Sequence, residues 1–204
     1  MSREITNRRK YEQRKRADDV AATRRRITEA AIELHGTIGP ARTTLSAVAE
    51  RAGVERRTLY RHFPNEADLF AACSNDYFAA HPWPDLDGWR AVAEPDERLH
   101  RALDELYAYY ERTEPMFGNV LRDAEIVAFA RDAIGPLHAY LAEAAEVLLT
   151  GRPVRGRRRE LVRGALRHVV AFSTWHSLAA NGIGRPDAVR LGAALVESAA
   201  RPSR

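Results

Sequence analysis

The chain has 204 residues, of which 45% are apolar, 29% charged and 8% aromatic. That length suits one long domain or a small domain joined to a larger one, and the composition excludes collagen-like, low-complexity and wholly disordered chains. The net charge of +4 is unevenly spread, with 15 basic and 8 acidic groups in residues 1–63 against 17 and 20 in residues 64–204, so a basic front suited to polyanions precedes a slightly acidic body.

One cysteine, Cys73, allows no internal disulfide, and the first ten residues lead into charge rather than into the apolar stretch of a secretory signal. No apolar run nears the roughly 20 residues that span a bilayer. A cytoplasmic protein that makes no use of a membrane is expected.

Residues 1–19 set Arg3, Arg8, Arg9, Lys10, Arg14, Lys15 and Arg16 against four acids with few apolar groups, the pattern of a flexible basic arm. From there Ile27, Ala30, Ala31, Leu34 and Ile38 follow the spacing of one helical face, closed by Gly39-Pro40. Leu45, Val48, Ala49 and Ala52 repeat that spacing behind Thr44, a residue type that caps helices. Gly53 then offers a turn, and the chain resumes through Val54 to Phe63, so residues 20–65 read as a helix-turn-helix domain.

Pro64-Asn65 ends this unit, and Asn65 with Asp68 approximates a capping box for a helix from Glu66 to about Ala80. His81 to Trp89 holds two prolines and a glycine and reads as a loop. Further helices are expected at about 96–112, 116–131, 134–149, 157–181 and 186–200, all within a second domain spanning 66–204. Strand-like alternation is missing, so the fold class is all-α.

A helix-turn-helix packs its two helices through small apolar groups and presents the outer face of the second to the major groove. Ala49, Ala52, Val54 and Leu59 can make that packing, which leaves Glu55, Arg56, Arg57, Thr58, Tyr60 and Arg61 as candidates for the outer face. Arginine can bond both O6 and N7 of guanine, making Arg56 and Arg57 the base-reading pair, while threonine can meet a thymine methyl or a phosphate.

Thr43-Thr-Leu-Ser-Ala-Val-Ala-Glu-Arg-Ala-Gly-Val54, followed by Thr58-Leu-Tyr-Arg-His-Phe63 and Asp68-Leu-Phe70, resembles the DNA-binding domain of the TetR family of bacterial transcriptional regulators over roughly residues 24–71. The resemblance implies that Thr44 touches DNA backbone, that Glu55, Arg56, Arg57 and Thr58 face the groove, and that Tyr60 and His62 contact phosphates. Two positions depart from the family pattern. Arg57 stands where glycine is frequent, and Glu66 stands where lysine is very frequent, which removes a phosphate contact while favouring the helix N-terminus. The basic arm could compensate along the backbone or minor groove.

The resemblance also implies a C-terminal domain that binds a small effector and pairs two subunits through the last two helices, so that a homodimer reads palindromic double-stranded DNA and an effector releases it. Leu161, Val162, Leu166, Val169 and Val170 cover more than one helix face, and Val189, Leu191, Leu195 and Val196 stand among alanines and Gly192, which allows close approach. Candidate effector contacts are Trp83, Trp89, Tyr107, Tyr110, Phe117, Phe129, Phe172 and Trp175, with His138, His168 and His176 as hydrogen-bonding partners. Such a set suits an apolar or aromatic molecule.

No phosphate loop, nucleophile elbow or paired metal-ligand spacing is present, so no catalytic residue, metal or cofactor is assigned. The competing reading is a module that binds nucleic acid without regard to sequence, or another protein, and has no effector.

Overall fold

The computed structural model describes residues 2–201, with side chains from Lys10 to Arg201. Eleven helices follow one another within this range: α1 (Ser2–Thr37), α2 (Leu45–Arg51), α3 (Arg56–His62), α4 (Glu66–Ala80), α5 (Leu86–Arg90), α6 (Pro95–Asp123), α7 (Ala128–Ala133), α8 (Gly135–Leu149), α9 (Gly156–Val169), α10 (Phe172–Ala180) and α11 (Arg185–Ala200). A single 3₁₀ turn, Pro40–Arg42, separates α1 from α2. Among the described residues there is no strand, and the fold is all-α as expected.

Four local expectations need correction. The segment taken for a flexible arm is helical and continuous with α1. It contains no glycine or proline and is rich in arginine, lysine, glutamate and glutamine, which extend a helix readily once α1 is anchored downstream. The stretch read as a loop contains α5, started by Asp85, whose carboxylate accepts the backbone N–H groups of Asp87 (3.0 Å) and Gly88 (3.1 Å).

The two helices expected at 96–112 and 116–131 are instead α6, which runs through Pro115, and the separate short α7. Both Pro115 and Glu111, the residue whose carbonyl loses its partner, are exposed, so water can satisfy that oxygen. Conversely, the helix expected over 157–181 is broken at Val170-Ala171, where Ala171 is extended. Tyr107 and Tyr110 donate their hydroxyls to the carbonyls of Val169 (2.8 Å) and Val170 (2.6 Å), compensating two acceptors at the break.

The chain divides into two compact units, one made of residues up to 80 with 119–133, the other of 81–118 with 134–204. Contacts therefore group α4 with the helix-turn-helix, whereas the sequence expectation placed its start at the head of the second domain. In the first unit α1 packs on α2 and α4, and α4 on α7. Its core includes Ile27, Ala31, Val48, Ala49, Leu59, Phe63, Leu69, Phe70, Cys73 and Ala130, all buried.

Polar anchors hold the same unit. Asp123, 3% exposed, accepts the Ala41 N–H (2.9 Å) and the Arg122 Nε–H (2.7 Å), while the Asn119 amide donates to the carbonyls of His35 (3.2 Å) and Gly36 (2.9 Å). Gly39 adopts φ 89°, and a side chain there would collide with Arg122 and Asp123. Inside, Cys73 Sγ lies 3.5 Å from His35 Nδ1. Burial pushes the thiol up to about 12 and the imidazole down to about 4, the latter partly opposed by Asp123.

In the second unit α9 packs on α8 and α11, and α5 on α8, around buried Leu99, Leu103, Leu106, Tyr107, Leu148, Val162, Leu166, Ala188 and Val196. Buried Arg98 donates to the carbonyls of Val92, Ala93, Val147 and Thr150, tying the link before α6 to the end of α8, where a cation is favoured. No helix among the described residues is long and apolar enough to cross a membrane.

Candidate nucleic-acid interface

Thr44 opens α2: its backbone is extended, and its hydroxyl accepts the Ala47 N–H at 3.2 Å. Gly53, at φ 63°, closes it, and the N–H groups of Gly53 and Val54 bond back to Glu50 (3.1 Å) and Ala49 (3.0 Å), the capping pattern that a left-handed glycine permits. The tight turn brings α3 against α2.

Leu59 and Phe63 are wholly buried and Ala49 and Ala52 nearly so, which fixes the inner face of α3. Each large side chain contributes about 1.5–3 kcal/mol by burial. The outer face follows by rotation: Glu55, Arg56, Arg57, Tyr60 and Arg61 are exposed, and Thr58 and His62 are half-buried. Arg56 lies four residues from Tyr60, and Arg57 four from Arg61, so two arginines on the first turn and a tyrosine and a third arginine on the second share one surface. Glu55 sits at the N-cap position of α3 without making a side-chain cap, leaving its carboxylate outside beside Arg56.

Two contacts aim this surface. The Arg24 guanidinium lies 4.2 Å from the Phe63 ring centroid, an attractive cation–ring geometry, and donates to the His62 carbonyl at 3.2 Å. An ion pair and hydrogen bond between Arg51 and Glu33 (Nε to Oε2, 2.8 Å) ties α2 to α1. Arg24 was not among the residues singled out from the sequence. It acts across 38 positions, and no local spacing signals such a contact. Arg61 belongs to the exposed face as well, although the resemblance assigned it no role.

His62 is less open than expected for a phosphate contact. Its Nε2 is enclosed with no hydrogen-bond partner among the described residues. Burial, with Arg61 and Arg24 nearby, lowers its pKa, so the ring adds no charge at neutral pH. Asn65 caps α4 by accepting the Asp68 N–H (2.8 Å), and its amide donates to the Asp68 carboxylate (2.9 Å). Glu66 is exposed on the first turn beside this cap, where a negative charge stabilises the helix.

The residues named for an effector fall into separate groups. Tyr110, Phe117, Phe172 and Trp175 are buried together, with Tyr110 to Phe172 at 5.3 Å, Phe172 to Trp175 at 5.4 Å and Phe117 to Phe172 at 5.8 Å between ring centroids. Exposed His176 stacks on Phe172 at 5.4 Å and lies 3.7 Å from the Glu114 carboxylate. Tyr107 and Tyr110 keep their protons, burial raising the first to about 12 and the second well above its ordinary value.

Trp83 and Trp89 gather instead around Tyr140, at 4.9 and 6.5 Å, and Trp89 donates to the Glu105 carboxylate at 2.7 Å. Tyr109 and Tyr140 join these clusters without having been singled out. His138 and His168 are exposed, on α8 and α9. Phe129 lies apart on α7 in the first unit, 5.0 Å from Phe70.

Comparison with known proteins places residues 27–73 in a match to the family model described as bacterial regulatory proteins, tetR family. Among curated relatives, the HTH-type transcriptional regulator TtgR of Pseudomonas putida is 40% identical over 68 residues, which is 33% of this chain and 32% of TtgR. The chain thus matches about a third of that relative's length. Among solved structures, a TetR-like transcriptional regulator from Rhodococcus sp. RHA1 superposes with a TM-score of 0.64 at 22% identity, covering 87% of this chain and 94% of that one. FadR from Bacillus subtilis, solved in complex with stearoyl-CoA, gives 0.59 at 18% identity over 86% and 96%. These likenesses extend the shared fold to both units.

Proposed function

From the premise that the chain belongs by its N-terminal domain to the TetR family of bacterial transcriptional regulators, we propose that it is a homodimeric repressor released from a palindromic operator by a small apolar or aromatic effector. The observation that carries this reading is the outer face of α3. Arg56 and Arg57 are exposed on its first turn while Leu59 and Phe63 lock its inner face, the arrangement needed to offer bidentate donors to guanine in the major groove. Thr44, Thr58 and Tyr60 supply polar groups for phosphates and base edges around that pair.

Pairing of two subunits uses the second unit. Leu161 on α9 and Leu191 and Leu195 on α11 are 53%, 51% and 43% exposed, on helices that pack side by side. Gly164 and Ala165 continue the Leu161 face and allow a partner helix to approach. Two such helices from each protomer form a four-helix bundle about a twofold axis.

The effector is received near the aromatic groups of the second unit, where Tyr110, Phe117, Phe172 and Trp175 form a largely apolar surround with His176 at its edge. An acyl chain of the kind bound by FadR is one ligand of this class. Its binding favours a subunit arrangement in which the recognition helices no longer match successive major grooves.

Selection of duplexes from a random pool at fixed salt tests the reading. Enrichment of an inverted repeat is expected, and addition of the effector should lower affinity for it. Retention of all sequences alike would favour the competing module that binds nucleic acid indiscriminately.

A further inference from the structure

We infer that the N-terminal part of α1 is a second DNA-docking surface, a helix that lies along the phosphate backbone beyond the site read by α3. This rests on the DNA-binding function proposed above. From Lys10 to Ala22 every residue of α1 is exposed, and its first wholly buried position is Ile27. The segment therefore projects from the packed unit. Between Lys10 and Thr23 it rises about 20 Å at 1.5 Å per residue, the length of about six base pairs.

Where it projects is fixed by Arg24, whose side chain meets Phe63 and the His62 carbonyl at the C-terminal end of α3. The helix thus leaves the unit beside the end of the recognition helix. Which face it turns that way follows from the 3.6-residue period. Lys10, Gln13, Arg14, Arg16, Ala17, Val20 and Ala21 lie within about 80° of Arg24 around the helix axis. This face holds three cations and no carboxylate.

The carboxylates of the segment, Glu12, Asp18 and Asp19, lie at about 120° or more from Arg24, together with Lys15. Glu12 and Asp18 stand four residues from Arg16 and Arg14 and border this face, leaving its centre to Lys10, Gln13, Ala17 and Val20. A strip that carries cations and no carboxylate suits a phosphate row. Cations line it, acids stand outside it, and alanines permit close approach.

The test compares adjacent residues of equal charge about 100° apart around the helix, Arg14→Gln on the Arg24 face and Lys15→Gln off it, with the triple variant Lys10→Gln, Arg14→Gln, Arg16→Gln, all in the full chain. The selected operator with long flanks is probed by hydroxyl-radical footprinting and by affinity from 50 to 200 mM salt. In the triple variant protection should shorten by about six base pairs at each outer flank, and the slope of log affinity on log salt should weaken by about 0.9 per contact removed in each protomer. Lys15→Gln should change neither.

Equal loss from Arg14→Gln and Lys15→Gln would overturn docking through one face in favour of an unoriented charge effect. Unchanged flanks in the triple variant, on an operator the wild-type chain protects, would overturn this inference and leave the α3 reading standing. A wild-type chain that protects no operator would overturn both.

Discussion

At the scale of single residues, the outer face of α3 separates a base-reading role from a phosphate-binding one. Arg57→Ala should weaken binding to the selected operator by about 1–3 kcal/mol and relax its sequence preference. Competition between operator and scrambled duplex at one salt concentration measures this, and equal losses on both would make Arg57 a phosphate contact. His35 makes stability depend on pH. Its imidazole takes a proton near 6.5 in the unfolded chain and near 4 in the folded one, because it is buried. Between those values the unfolded state holds more protons, so stability falls as pH drops from 6.5 toward 4, by up to about 3 kcal/mol from this group. The groups facing it are the protonated Cys73 thiol of α4 and the carboxylate of Asp123. Although burial opposes ionisation of Asp123, bonds from Arg122 and Ala41 keep its pKa below the usual value, so its own contribution is lost only in stronger acid. Urea unfolding at pH 7, 5.5 and 4 should show a flatter profile for His35→Gln, and an unchanged profile would place the dependence elsewhere.

At the scale of elements, Gly39, ahead of the 3₁₀ turn, and Gly53, behind α2, differ in what their replacement costs. Both have positive φ, but a Cβ at Gly53 meets open space whereas one at Gly39 collides with Arg122 and Asp123. Gly53→Ala should therefore cost about 1–2 kcal/mol for the backbone alone, and Gly39→Ala more, since it also disturbs the Asp123 bond to Ala41. Thermal unfolding that ranks them the other way would count against the anchoring role of Asp123. The helices that sequence spacing located well, such as α2, α4, α8 and α11, have their signals nearby: Thr44, Asn65, Gly135-Pro136 and Arg185-Pro186. Those it misplaced depend on distant partners. Continuation of α6 through Pro115 and interruption at Val170-Ala171 are settled by exposure in one case and by Tyr107 and Tyr110, 60 or more positions away, in the other. The site divides in the same way. Arg56 and Arg57 were legible because Leu59 and the α2 alanines use up the inner face, while Arg24 was not, because its partner lies in another element.

At the scale of the whole molecule, the uneven charge of the chain was visible in its sequence, but which apolar face of α11 stays exposed, and so open to the proposed pairing, was not. Val189, Gly192 and Val196 turn inward, Gly192 so tightly that a Cβ would stand 3.1 Å from Leu103 Cδ1, and Leu191 and Leu195 turn outward. Periodicity reveals two apolar faces on α11 but cannot say which one its own chain covers. On the proposed pairing, Leu191→Glu with Leu195→Glu should convert dimers to monomers in sedimentation and lower operator affinity more than tenfold, with helicity by circular dichroism unchanged. Persistence of the dimer would move the interface to another face.

The burial of Cys73 has a practical consequence. Maleimides and nitroxide reagents attack the thiolate, and this chain's one thiol is 2% exposed and held protonated up to about 12. A cysteine introduced at exposed Ala67, off the α3 outer face, would then be the only labelled position in each copy of the chain. Pulsed electron-electron resonance between the two copies of the proposed dimer would follow the spacing of their DNA-binding domains, with and without DNA, with no native cysteine to remove.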